Sequence, residues 1–466
     1  MANSDIKIGI LGAGISGLAA AYWLSKDGYD VTVLEKNNYT GGAMISHSEK
    51  GFMADLGPNS GLETSPFIRK IVESVGLGNE MIYADSAGNK RYILKNNKLY
   101  ALTPNPIKFF SSGLLSFKGK LELLKEPFIG KSEDGYYQSI STFVKRRLGS
   151  DFLDYIINPF VSGVFAGNPD FLSVKSAFPK LYRLEEEYGG LIKGTIKGSK
   201  ERKQRNENSK QNAKMFSFRN GMQSFPNSIA DKLIKKPLLN CEIKNINYQN
   251  NSISVSSELN GKNQDFNFNI LISAIPAYNA SNLFKTLDDK LAEHLSQIYY
   301  PPVMVLFAAF RKKDILKKLD GFGFLIPEKE RKQFLGAIWS SVIFTDRCSK
   351  DLAAFTLFIG GARQSDIFKT QNDLLINEVL AEFKSLMQIK ESPVYLKSFF
   401  WEKAIPQYNI GYIEHDKQFE HFENTHPGII LSGNYRGGIS VGDCINNSRT
   451  VYDKTLKYAG DYFFSL

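Results

Sequence analysis

The sequence predicts a mixed α/β fold in which two distant pieces of chain, each a strand, a glycine turn and a helix, complete one ligand site. Three observations predict it. Residues 6–35 read as strand, glycine turn, helix, strand and acid. Residues 428–452 read as strand, glycine loop and helix. Between them, Met304–Phe310, Phe322–Ile326, Leu335–Ser340 and Ala354–Ile359 are short aliphatic and aromatic runs that suit the strands of a second sheet.

The first element is IKIGILGAGISGLAAAYWLSKDGYDVTVLE, from Ile6 to Glu35. A β-branched apolar run enters Gly12-Ala13-Gly14-Ile15-Ser16-Gly17. Ile15, Leu18, Ala19 and Tyr22 then recur at helical spacing. A second apolar run, Val31–Leu34, closes on Glu35. This is the pattern of a dinucleotide-binding βαβ unit. Gly12 permits the tight turn, Gly14 lets backbone approach a pyrophosphate, and Gly17 lets the helix pack on the strands. The helix N-terminus offers N–H groups and partial positive charge to phosphates. Glu35 can accept hydrogen bonds from both ribose hydroxyls. A unit so early in a long chain suggests a resident cofactor.

Bulk composition narrows the class. The 466 residues, 42% of them hydrophobic, suffice for two or three domains with their own cores. No run approaches the ~20 apolar residues of a membrane span. Pro301–Phe310 and Ile270–Tyr278 are too short and read as buried strands. The N-terminus lacks a charged start and apolar core, so no signal peptide and a cytoplasmic location are expected. Cys241, Cys348 and Cys444 lie far apart, which argues against a disulfide framework or a zinc site. The five histidines have no paired spacing, so no metal centre is expected. A net charge of +10 fits an anionic membrane surface or an acidic substrate. It also fits nucleic acid, but no nucleic-acid-binding module is present. Part of the excess sits in Lys197–Lys214, which reads as a solvated mobile loop.

Along the chain, Arg91 opens a hairpin with its turn at Asn96-Asn97. Ile107–Ile129 interleaves Phe109, Phe110, Leu114, Leu115, Phe117, Leu121 and Phe128 with Lys108, Lys118, Lys120 and Lys125. Such a stripe suits a core-facing helix pair or a helix lying on a membrane. Ser139–Leu184 reads as helical, with turns at Asn158-Pro159 and Ala166-Gly167-Asn168-Pro169. Leu238–Ile246 and Phe266–Pro276 read as strands. Near the C-terminus, the glycine loop 433–440 leads into a helix with Val441, Cys444, Ile445, Val451 and Tyr452 on its apolar side. The start of that helix offers a second N-terminus to a ligand. It would stabilise negative charge on that ligand by roughly 0.3–1 kcal/mol.

The loops Thr40-Gly41-Gly42-Ala43 and Asp55-Leu56-Gly57-Pro58-Asn59-Ser60 resemble the flavin-contacting loops of the amine oxidase-like flavoproteins. The ISAIP turn, residues 272–276, is similar to one in the same superfamily. The runs LGPNS, FVKRRLG, INPFVSGVFAGNP and LSVKSAFPKLYRLEEEYGGLIKG resemble the protoporphyrinogen oxidase family. The likeness runs from Ile6 to about Gly460 and is weakest in Lys197–Lys214 and Asn247–Asn269. It implies a Rossmann-like FAD-binding domain of the amine oxidase/glutathione reductase type, made of residues 1–85, 215–280 and 410–466. A mixed-sheet substrate domain would take 86–105 and 281–409. A helical, membrane-associating or substrate-channel domain would take 106–214.

By the same likeness, FAD would be held by Gly12, Ala13, Gly14, Ile15, Ser16, Gly17, Glu35, Lys36, Gly42, Ala43, Gly57, Pro58, Asn59, Ser60, Gly438, Ile439 and Ser440. Ile243 would contact the adenine through its backbone. Arg91 would pair with a substrate propionate, and Leu325, Ile338 and Phe358 would face the tetrapyrrole. Asn59 and the Ala166-Gly167 backbone would lie near the reacting centre. Two departures stand out. Lys36 and Thr40 flank the glycine pair where the family often has arginine. The covalent flavin cysteine of monoamine oxidases is missing from Ser432-Gly433-Asn434-Tyr435, so FAD is expected to be non-covalent.

No Ser-His-Asp set, Cys-His pair or metal-ligand cluster is recognisable, so the hard chemistry falls to the cofactor and no side chain is named as catalytic. The resemblance implies oxidation of protoporphyrinogen IX to protoporphyrin IX with dioxygen as acceptor and hydrogen peroxide as by-product. Peripheral contact with an anionic membrane and with the downstream ferrochelatase is implied as well. Oxidation of coproporphyrinogen III, an amine oxidase or desaturase on the same scaffold, and a non-catalytic porphyrin carrier are the alternatives.

Overall fold

In the computed structural model, which describes residues 3–103, 105–204 and 213–465, the Lys7–Leu11 strand is an inner member of a four-stranded parallel sheet. Asp30–Leu34 lies on one side of it, and Ile270–Ser273 then Ile429–Leu431 on the other. Both faces are covered, so the strands are mostly apolar. Ile8 and Ile10 share a core with the helices Ile15–Lys26 and Val441–Ser465, while Leu271 and Leu431 belong to the core on the opposite face. The two helices are tied where Trp23 Nε1 donates to Ser448 Oγ at 3.1 Å.

The connection into this sheet differs from the expectation. Cys241–Gln249, Ser252–Leu259 and Lys262–Phe268 form a separate antiparallel layer. The predicted strand Leu238–Ile246 therefore begins at Cys241, with Leu238 making only an isolated bridge to Leu34. The predicted run Phe266–Pro276 is two strands, split at Asn269. Its alternating half joins the antiparallel layer, and its continuous apolar half, Ile270–Ser273, joins the buried parallel sheet.

The second main sheet has seven strands, in the order Tyr395–Trp401, Val303–Arg311, Leu352–Gly360, Gly336–Ile338, Gly323–Leu325, Arg91–Lys95, Lys98–Leu102. The hairpin at its edge turns on Asn96 and Asn97, whose φ values of 50° and 58° suit a two-residue turn and are tolerated by asparagine. One face of the sheet packs Phe324, Ala337, Leu357 and Leu306 against Val379 and Phe383 of the helix Asn372–Met387. Each fully buried Leu, Val or Phe side chain among these stabilises the fold by roughly 1.5–3 kcal/mol.

Helices fill most of 106–204. A buried ion network centres on Arg147, which bonds Glu126 Oε1 at 2.7 Å and also pairs with Glu185. Removing one partner of such a pair costs roughly 3–5 kcal/mol. The expected turn at Asn158-Pro159 is absent. A π-helical stretch, Leu153–Ile157, runs straight into the helix Asn158–Phe165. Proline inside a helical run lacks one N–H donor, and the π-helical stretch just before Pro159 is where the regular hydrogen-bond ladder is already interrupted. The expected loop Lys197–Lys214 is helical as far as Gln204, at the end of Leu191–Gln204, and residues 205–212 lie outside the described residues. Among the described residues no helix is long and apolar enough to cross a membrane.

Candidate active site

The glycine turn has the geometry a pyrophosphate needs. Gly12 adopts φ +98°, and its N–H donates to Leu34 O at 2.8 Å. Gly17 sits so close to the turn that a Cβ would stand 2.1 Å from Gly12 O. Gly14 caps the helix Ile15–Lys26 with no side-chain bond, and a Cβ there would meet nothing within 4 Å. The helix start therefore opens on free space. Ala13 belongs to the turn, and Ile15 and Ser16 are buried in the first helical turn. Glu35, only 6% exposed, directly follows the second strand. Its carboxylate accepts from Ala13 N and Asn37 N, both at 2.8 Å. Each oxygen keeps acceptor capacity for a hydroxyl. These residues fit a dinucleotide.

The flavin-loop candidates close around the same turn. Gly41 bridges Gly14 and donates to Ala13 O at 2.8 Å. Gly42, at φ +59°, brings a would-be Cβ within 3.3 Å of Gly14 Cα. Gly57 abuts Ala43, where a Cβ would stand 1.8 Å from the carbonyl oxygen. Pro58 and Ser60 are half-buried beside Asn59, which steadies its loop by donating from Nδ2 to Asp55 O and Gly57 O. Lys36 points elsewhere: it is exposed and pairs with Glu242 at 2.9 Å. Ile243 lies at a bulge in the Cys241–Gln249 strand, whose first N–H donates to Glu35 O at 2.8 Å.

The second helix start meets the first. Leu431 lies opposite Ser273, and Ser273 opposite Leu11, so both glycine turns leave the same end of one sheet. Cys444 bonds Ser16, and burial pushes its thiol up to about 11. Gly438 takes φ +124° and donates to the Tyr408 hydroxyl at 3.0 Å. Ile439 packs into two cores at once. Ser440 caps the helix with its own hydroxyl, which accepts from Asp443 N at 3.1 Å.

The substrate candidates come together through register. Arg91 lies opposite Gly323, Gly323 opposite Ile338, and Ile338 opposite Thr356. Two residues further on, Ile93, Leu325, Gly336 and Phe358 form the next row. Side chains two apart share a face, so Arg91, Leu325, Ile338 and Phe358 line the face opposite the helix-covered one. Arg91 is exposed at the rim, its guanidinium 5.3 Å from the centre of the Phe322 ring. Asn59, Ser60, Phe322 and Ile338 line one cavity, so the flavin-loop and sheet candidates adjoin. Leu325 is tucked under the helix Asn158–Phe165, against Gly163. Ala166 ends that helix at φ +49° and packs with Val303, Val305 and Phe358. Gly167 follows it and is buried.

One residue that sequence reading passed over also lines this cavity. Arg347 lines it and pairs with Asp55 at 3.2 Å, both nearly fully buried. Asp55 also accepts from Ser46 Oγ and Met222 N, while burial pushes its carboxyl up against the pull of Arg347. Asp55 was visible only as part of the DLGPNS loop, and its partner lies almost three hundred residues away in a segment with no motif.

Comparison with known proteins agrees with this geometry. The family described as flavin containing amine oxidoreductase matches residues 15–451. Protoporphyrinogen oxidase 2, chloroplastic/mitochondrial, of Arabidopsis thaliana is 33% identical over 98% of this chain and 95% of its own length. Coproporphyrinogen III oxidase of Bacillus subtilis (strain 168) is 24% identical over 98% and 99%. The solved structure of reduced UDP-galactopyranose mutase superposes with a TM-score of 0.74 at 17% identity, covering 97% of this chain and 94% of that one. The cofactor of this family is FAD, as the resemblance implied. The chain belongs to the flavin containing amine oxidoreductase family, alongside the protoporphyrinogen oxidases.

Proposed function

We propose that the chain oxidises protoporphyrinogen IX to protoporphyrin IX. Six electrons and six hydrogens leave the macrocycle in three rounds, and dioxygen takes them away as three molecules of hydrogen peroxide. Non-covalent FAD supplies the hydride acceptor. The observation that carries the reading is the single sheet face on which Arg91, Leu325, Ile338 and Phe358 lie side by side, next to the Asn59 loop. That face offers an apolar wall with the Arg91 cation at its rim, which suits an apolar ring bearing propionates. Arg91 binds a propionate there, and a charge-assisted bond of this type contributes about 1.5–3 kcal/mol. The Asn59 loop and the Ala166-Gly167 corner hold the macrocycle against the flavin and keep water out. The relatives' names support a porphyrinogen as substrate.

The Bacillus subtilis relative supports a second reading, oxidation of coproporphyrinogen III to coproporphyrin III. Turnover of the purified holoenzyme on both porphyrinogens, followed by porphyrin fluorescence and peroxide release, separates them. Faster turnover of protoporphyrinogen with one peroxide per two electrons is expected. Faster turnover of coproporphyrinogen overturns the first reading. No porphyrin from either substrate overturns both.

The helical region supports peripheral contact with an anionic membrane. Ile107, Phe117, Leu124 and Phe128 are exposed, by 80%, 79%, 62% and 88%, among the lysines of the same stretch. Phe109 and Phe110 are half-buried and contribute less to that surface.

A further inference from the structure

Between the substrate face and the second glycine loop runs the segment 404–408. Two consecutive side chains of this segment reach different partners. Gln407 is 2% exposed. Its Nε2 donates to Phe165 O and Ile405 O, both at 2.9 Å. Its Oε1 has no hydrogen-bond partner and lies 2.7 Å from where a Cβ on Gly167 would stand. Gln407 therefore grips the corner that ends the helix Asn158–Phe165. Tyr408 is 5% exposed. Its hydroxyl donates to Asn434 O at 2.9 Å and accepts from Gly438 N at 3.0 Å, so it spans the glycine loop from one side to the other. Burial pushes its ionisation far up, which keeps the hydroxyl neutral and able to donate.

The segment itself is fixed. Gln407 N donates to Tyr299 O and Tyr408 O accepts from Ser173 N, both at 2.9 Å. The Tyr412 ring lies 4.4 Å from the Tyr408 ring, and its hydroxyl bonds Tyr435 O. Adjacent Cα atoms are about 3.8 Å apart in a trans chain, so the two grips cannot move independently.

We propose that Gln407 and Tyr408 are positioning residues for the redox step. Gln407 fixes the Ala166-Gly167 corner on the substrate side, and Tyr408 fixes the loop 433–440 on the flavin side. One short segment thus sets the separation of hydride donor and acceptor. The assignment rests on reading those two sides as porphyrinogen and flavin sites. Hydride transfer is steep in distance: misplacement by about 1 Å can cost ~100-fold in rate.

The test compares Tyr408→Phe, Gln407→Met and the double variant as holoenzymes. Anaerobic flavin bleaching by protoporphyrinogen gives a limiting rate and a half-saturating concentration. Each single change is expected to lower the limiting rate about tenfold, with half-saturation within about twofold of the parent. Tyr408→Phe alone is expected to alter the visible flavin spectrum and weaken FAD retention. The double variant should lose less than the product of the single losses, because both residues serve one distance. An unchanged limiting rate with only a lower melting temperature, or losses that multiply, overturns the assignment. If no porphyrinogen bleaches the parent, the functional reading fails separately. The flavin spectrum and FAD retention of Tyr408→Phe then decide, and a variant matching the parent in both overturns the role. If one variant does not fold, the other is scored by the same limits.

Discussion

The glycine turns and the seven-stranded sheet build their halves of the site by different means. At Gly12–Gly17 the backbone itself is the binding surface, and its shape is set by atoms a few residues apart. A Cβ at Gly17 would stand 2.1 Å from Gly12 O, and in the neighbouring loop one at Gly57 would stand 1.8 Å from Ala43 O, so neither position admits another residue. The proposed substrate face is assembled from side chains on strands far apart in sequence, and only register makes Arg91, Leu325, Ile338 and Phe358 neighbours. The first half is rigid and intolerant of change. The second can alter one side chain at a time and so change what it binds.

That contrast predicts how each half breaks. Gly17→Ala should have the largest effect. The added methyl forces helix from turn, and the expected cost is about 1–3 kcal/mol of stability, with loss of FAD. Calorimetry and flavin absorbance check it, and a variant that keeps both parent melting temperature and flavin would dissolve the contrast. Arg91→Ala should leave the fold and the flavin alone. It should raise KM for the porphyrinogen about 10–100-fold and change kcat much less, because in the proposed reading the residue holds a propionate away from the reacting carbon. Unchanged KM in steady-state assays removes Arg91 from the site.

Smaller effects sharpen the comparison at the surface. Phe117→Ser with Phe128→Ser should change stability by no more than about 0.5 kcal/mol, since both rings are already in water. The pair should nonetheless reduce sedimentation with anionic liposomes. Undiminished binding would move the membrane contact elsewhere. His415 gives the smallest expected signal. Burial beside His294 holds its imidazole down to about 4, so the fold favours the neutral form. The unfolded chain gains a proton first as pH falls below about 6.5, and stability drops between there and about 4. Melting curves of His415→Gln over that range should fall less steeply than those of the parent. Parallel curves would show that His415 titrates normally.

The same contrast explains what could be read in the sequence. Gly12 through Glu35 declared themselves because turn, helix and acid sit within thirty residues and each has a local backbone reason. The Asn96-Asn97 hairpin was legible for the same reason. The strand near Leu238 was misplaced because its apolar residues bridge to Leu34 before the true ladder begins. The turn at Asn158-Pro159 was misread because proline signals a break, while here it opens a helix just after a π-helical stretch. The Arg347–Asp55 pair and the Gln407–Tyr408 brace left no trace, since their partners are remote and neither residue type is diagnostic alone. The four substrate-side candidates came from family likeness; periodicity alone did not pick them out from core.

The most direct measurement is anaerobic mixing of the purified holoenzyme with protoporphyrinogen IX while flavin absorbance is followed. The account predicts full bleaching at saturating substrate in both the parent and Arg91→Ala, with the variant needing roughly 10–100-fold more porphyrinogen to reach half the limiting rate. A parent flavin that stays oxidised, or a variant that bleaches at parent concentrations, would contradict it.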